Sequence, residues 1–203
     1  DYFRWVATGL EEPMTTHADR FKYNTGYGMS AYDKGSIFLS QLQYVIGKEN
    51  FDNTLKKYFD DWSFKHPKPN DFIRSAEKVS GLELDWYLLD WAQSTMTIDY
   101  SVNSLYGVDN KTRIVLKRIG QMGMPIDLRI KLKSGETLDY NIPMTKMRGS
   151  KPLQSSTLLK SWSWAKPYYE VWLDIDSKNI SKITIDPKNE MADINRDNNY
   201  LVL

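Results

Sequence analysis

The chain has 203 residues, 41% of them hydrophobic and 13% aromatic, enough for one large domain or two of about 100 residues each. Its 27 basic and 26 acidic residues leave a net charge of +1 and form no basic block, which argues against a nucleic-acid partner. No apolar run approaches the ~20 residues of a membrane span. The absence of cysteine excludes disulfides and thiolate chemistry and suits either a reducing or an exported location.

The chain starts at Asp1 with neither an initiator methionine nor a signal segment, and reads as a piece of a longer protein. Residues D-Y-F-R-W-V read as the end of a helix. Gly9 and Pro13 then break regularity, and a polar loop leads to Tyr27 and Gly28. A helix is predicted from Ser30, as N-cap, to Gly47 in the left-handed C′ position. Ala31, Phe38, Leu42 and Val45 form its apolar stripe. Gly35 lies on that stripe at a cost of roughly 1 kcal/mol relative to alanine, which predicts a close neighbour. Tyr32 falls in the first turn, near the positive end of the helix dipole. A phenol, with an ordinary pKa of about 10, is a neutral donor suited to a developing oxyanion. On the residues alone, an ordinary aromatic packing at a helix start is the simpler reading.

Three further helices follow: Lys48 to Trp62, Asp71 to Val79 capped by Asn70 and ended near Gly81, and one capped by Asp85 that carries Trp86, Leu88, Leu89 and Trp91. Pro67 and Pro69 mark a break between the first two. From Thr97 the period changes to two. Ile98, Tyr100 and Val102 alternate, as do Ile126, Leu128, Ile130 and Leu132. Lys133-Ser134-Gly135-Glu136 signals a hairpin into Leu138, Tyr140 and Ile142; Val171 with Leu173 and Ile183 with Ile185 add inward pairs. The expected architecture is α+β: a helical lobe over residues 1–96, then an immunoglobulin-like β-sandwich over 97–203. Met144 to Ser156 reads as a polar, mobile stretch.

A-Y-D-K-G-S followed by F-L, a helix ending in I-G, then E-x-F and a second amphipathic helix resembles the gluzincin aminopeptidases, the zinc enzymes typified by aminopeptidase N and the leukotriene hydrolase. The resemblance implies that the helices are the last part of a thermolysin-like catalytic domain. It matches the family's tyrosine to Tyr32, its lysine to Lys34 and its glycine to Gly35, and Tyr27 falls where some members carry a second cleft tyrosine. It implies that Tyr32 donates to the oxyanion of the tetrahedral intermediate, opposite a zinc ion, while peptide N-termini are cleaved. It also leaves epoxide hydrolysis open, since both chemistries occur in the family. A bacterial, periplasmic or cell-surface setting is compatible with it.

The zinc motif H-E-x-x-H is not in this chain, whose only histidines are His17 and His66. The resemblance therefore places the zinc ligands upstream of Asp1, expects no zinc on the fragment, and makes the missing N-terminal part of the same chain its partner. The fragment alone is expected to be inactive. Glu11 and Glu12 read as solvated loop acids, His17 as a loop-fixing residue, His66 as a turn residue, and Lys34 with Asp33 as a solvated pair. Asp193-Ile194-Asn195-Arg196-Asp197-Asn198-Asn199 spaces oxygen side chains like a calcium loop but lacks its glycine, and reads as a hydrogen-bonded turn. Two rivals stand beside the peptidase: a catalytically dead relative acting as a scaffold, and a carbohydrate-binding sandwich using Trp162, Trp164, Tyr168, Tyr169 and Trp172.

Overall fold

The structure, a computed structural model, describes residues 1–203. The chain separates into two units: Asp1–Met96 with Lys146–Pro152, and Thr97–Thr145 with Leu153–Leu203.

The first unit is helical: α1 (Tyr2–Ala7), α2 (Asn24–Gly28), α3 (Gly35–Ile46), α4 (Lys48–Trp62), α5 (Pro69–Ser80) and α6 (Asp85–Ala92). Helix α6 buries Trp86, Tyr87, Leu88, Asp90, Trp91 and Ala92, and a helix apolar on most sides belongs at the centre of its lobe. Aromatic rings link the lobe in series from Tyr2 through Trp91, Tyr87, Phe38 and Phe72 to Tyr58, at centroid separations of 5.1 to 6.4 Å. The Tyr87 hydroxyl donates to the Phe38 carbonyl at 2.5 Å, tying α6 to α3.

Three helix ends differ from expectation. Asp85, expected as a cap, is the first residue of α6, with Leu84 in the cap position. Helix α5 begins at Pro69, not after Asn70, because the first helical position needs no N–H. Asp71 closes the first turn: its carboxylate accepts from the Lys68 N–H at 2.7 Å, and its own N–H donates to the Lys68 carbonyl at 2.9 Å. Gly47 has a positive φ as expected, but at φ 84° and ψ 154° it lies outside the left-handed helical well. The stretch expected to be mobile is tied down in part. Met147 is buried, its carbonyl accepts from the Glu83 N–H at 3.0 Å, and the Lys151 ammonium lies 4.2 Å from the Tyr44 ring centre.

The second unit holds two sheets. One has the order β1 (Tyr100–Val108), β2 (Lys111–Arg118), β6 (Tyr168–Leu173). The other runs β5 (Thr157–Leu158), β4 (Thr137–Ile142), β3 (Ile126–Leu132), β7 (Ile180–Ile185), β8 (Tyr200–Val202). All pairings are antiparallel except β4 with β5. Tyr100, Ile114, Leu116, Ile126, Leu128, Ile130, Ile183 and Ile185 supply the apolar interior that a two-sheet sandwich needs. Gly135 takes φ 94° in the hairpin between β3 and β4.

The Asp193–Asn199 segment is a hydrogen-bonded turn against β1. Asp193 accepts from the N–H groups of Tyr100 and Asn195, both at 2.9 Å, and the Asn198 amide donates to Asp99 at 2.8 Å. With its amide nitrogen facing the acceptors, Asn199 donates to the Tyr100 carbonyl at 2.7 Å and to Asp193 at 3.2 Å. Burial pushes the Asp193 carboxyl up to about 6, against the two N–H donors that favour its charged form.

Candidate functional site

The helix that carries Tyr32 starts earlier than its sequence suggests. Helical backbone runs from Asn24 to Ile46, and between α2 and α3 it widens into a π-turn, Met29–Lys34. Ser30 is therefore inside the helix and is not its N-cap; Tyr23 holds that position. This corrects the dipole argument for Tyr32, which sits on the π-turn and not at a helix start. Two glycines made α2 hard to read. At Gly26 an added Cβ would lie 3.3 Å from a Glu12 carboxylate oxygen and 3.4 Å from the Trp5 ring, a tight contact that the absent side chain of glycine relieves. At Gly35 the predicted close neighbour is missing: an added Cβ would meet only the Ser30 carbonyl, at 3.9 Å.

Tyr32 is 77% exposed, which leaves its ring open to a ligand. Tyr27 is about half exposed, with its ring edge-on to Phe21 at 5.6 Å. A turn that closes on residue i+5 reduces the angular separation of residues five apart, the spacing of Tyr27 and Tyr32.

The residues beside them overturn two expectations, those for Lys34 and Glu11. Lys34 is buried, not solvated, and its ammonium lies 2.5 Å from the Glu11 carboxylate and donates to the Ser94 carbonyl at 2.9 Å. Glu11, expected to be a solvated loop acid, has only 5% of its side chain exposed. Glu12 is not free either: its carboxylate accepts from the Lys22 N–H at 3.2 Å, and its carbonyl accepts from the Ser30 hydroxyl at 3.4 Å. Burial, and after it the Glu11 charge, pushes the Tyr2 phenol well above its ordinary range, so Tyr2 is a neutral neighbour of the pair.

The histidines do not converge. His17 accepts from the Asp19 N–H at 3.3 Å and caps a short 3-10 turn, while His66 is exposed in the break before α5. With Glu11 committed to Lys34, no group of three metal-ligating side chains comes together in the chain.

The aromatic run of the sandwich does not form one platform. Trp162 is buried and donates its indole N–H to the Lys166 carbonyl at 2.8 Å, with Tyr169 packed on it at 5.2 Å. Trp164, Tyr168 and Trp172 are exposed. Two of these carry cations: Arg113 lies 6.0 Å from the Trp172 ring centre and Lys117 5.7 Å from that of Tyr168. No helix is long and apolar enough to cross a membrane.

The chain thus joins a helical lobe exposing a tyrosine on a π-turn to a unit of two β-sheets. Residues 7–91 match the peptidase family M1 domain. The chain is 27% identical over 112 residues to the Tricorn protease-interacting factor F2 of Thermoplasma acidophilum, covering 52% of this chain and 14% of that protein. It is 25% identical over 71 residues to aminopeptidase N of Escherichia coli, covering 35% and 8% of the two chains. It is 31% identical over 83 residues to glutamyl aminopeptidase of Rattus norvegicus, covering 41% and 8%. In fold it is similar to the crystal structure of Legionella pneumophila aminopeptidase A in complex with aspartic acid, with a TM-score of 0.53 and 17% identity over 79% of this chain and 17% of that one. These matches support an M1 gluzincin aminopeptidase fragment, with the family domain matched over residues 7–91, and the chain spans 8% to 14% of the length of these relatives.

Proposed function

We propose that this chain is the part of a zinc aminopeptidase that supplies the oxyanion donor, and that Tyr32 is that donor. The observation carrying the reading is a 77% exposed phenol, in the family's Tyr-x-Lys-Gly motif, on a π-turn held from behind by a buried ion pair. The substrate of the whole protein is then a peptide with a free amino terminus. As the scissile carbonyl becomes tetrahedral, negative charge grows on its oxygen. A phenol O–H meets that charge by donating a hydrogen bond to it. Tyr27, half exposed and five residues earlier, lines the same cleft. The zinc-binding residues and the general base belong to sequence outside these 203 residues, so the chain by itself is inactive.

The test is Tyr32→Phe in the full-length protein, with hydrolysis of an aminoacyl-anilide and metal content both measured. Loss of one oxyanion donor typically lowers turnover by ~10²–10³. That loss with unchanged zinc supports the assignment; normal turnover sinks it. The 203-residue chain, assayed alone, should show no hydrolysis.

A further inference from the structure

We propose that the buried Lys34–Glu11 pair is a positioning device for Tyr32, fixing the pitch of the π-turn and with it the direction of the phenol. The proposal rests on the reading of Tyr32 as the oxyanion donor. Three segments meet on one ammonium: Lys34 ends the π-turn, Glu11 lies in the loop after α1, and Ser94 follows α6. A buried ion pair is a poor device for stability alone, since an apolar pair of the same volume often serves as well or better. What it does supply is a fixed position, because neither charge tolerates leaving its partner.

The same loop holds the other end of the π-turn. Ser30, its second residue, donates to the Glu12 carbonyl at 3.4 Å, and Gly26 in the preceding turn lies against the Glu12 carboxylate. Glu11 and Glu12 are consecutive, so one short piece of chain clamps the turn at Ser30 and again at Lys34. A π-turn holds one residue more than an α-turn. Relaxation to ordinary helix would rotate the residues before it by about 100° around the axis relative to α3. Tyr32 lies between the two clamps, where that rotation would redirect its ring.

The test uses the full-length protein and the variants Glu11→Gln, Lys34→Met, Tyr32→Phe and the double variant Glu11→Gln/Tyr32→Phe. Glu11→Gln keeps a carbonyl acceptor in nearly the same volume, so it carries the test even where Lys34→Met fails to fold. Misplacing a catalytic group by about 1 Å can cost ~10²-fold. Glu11→Gln is accordingly expected to lower kcat by ~10- to 100-fold with KM nearly unchanged. It should add little further loss in the Tyr32→Phe background, since residues acting through one group are not additive. Hydrogen exchange at residues 29–35 should quicken in the same variant. A wild-type kcat per folded molecule in Glu11→Gln, beside a disabled Tyr32→Phe, overturns this proposal alone. Losses that multiply in the double variant also overturn it. A normal kcat in Tyr32→Phe overturns both readings.

Discussion

The buried carboxyl of Asp193 makes the sandwich pH-sensitive in an unusual direction. Burial moves its pKa from 3.8 to about 6. An acid with a raised folded-state value keeps its proton in the native state over a range where the unfolded chain has already lost it. Stability from this group is therefore greatest at low pH and falls as pH rises through the interval from about 4 to about 6. At 1.36 kcal/mol for each pH unit of difference, lowering the pH from 7 to 4.5 should stabilise the native state by about 2 kcal/mol through Asp193. Other carboxylates oppose it. Asp139, held below its usual range by Arg129 at 2.6 Å, loses stabilising charge as pH falls. The effect is thus isolated by comparison with Asp193→Asn, which cannot titrate. The variant should be less stable at every pH, since it loses an acceptor for the N–H groups of Tyr100 or Asn195. Urea unfolding of both proteins between pH 4.5 and 7 gives the answer. The advantage of wild type over variant should shrink as pH rises. An advantage that is constant, or that grows with pH, refutes the reasoning.

Gly47 occupies φ 84° and ψ 154°, a region nearly restricted to glycine, with the ring of Pro152 3.5 Å from where a Cβ would stand. Gly47→Ala should destabilise the helical unit by about 1–3 kcal/mol in urea unfolding, and no loss would contradict the strain argument. Tyr87→Phe removes the hydroxyl that joins α6 to the Phe38 carbonyl but leaves no buried donor behind. Its cost should be about 1 kcal/mol by the same assay; a cost of several kcal/mol would mean that the hydroxyl does more than make that one bond.

Much of the fold was legible because its periods are clean. Ile126, Leu128 and Ile130 alternate and are buried, and Phe38, Leu42 and Val45 recur at helical spacing and are buried. Strand β2 escaped because Ile114, Val115 and Leu116 are all buried in succession, so the alternation that marks a half-buried strand is absent. The site was less legible. Tyr32 was singled out by a family motif, but the π-turn beneath it has no sequence period of its own. Lys34 beside Asp33 looks solvated because its real partner, Glu11, lies 23 residues earlier in a loop and the two come together only in the fold. Gly26, in the glycine-rich stretch N-T-G-Y-G, reads as loop, although it lies inside a helix with the Glu12 carboxylate packed close against it.

The most direct test of the central claim is the affinity of a phosphinic peptide, a tetrahedral mimic of the reacting carbonyl, for the full-length protein and its Tyr32→Phe variant. An oxyanion donor binds the mimic as it binds the transition state, so Ki should rise by ~10²–10³ in step with the loss of kcat/KM. Equal affinity for the mimic in the two proteins, at equal zinc content, would contradict the role assigned to Tyr32.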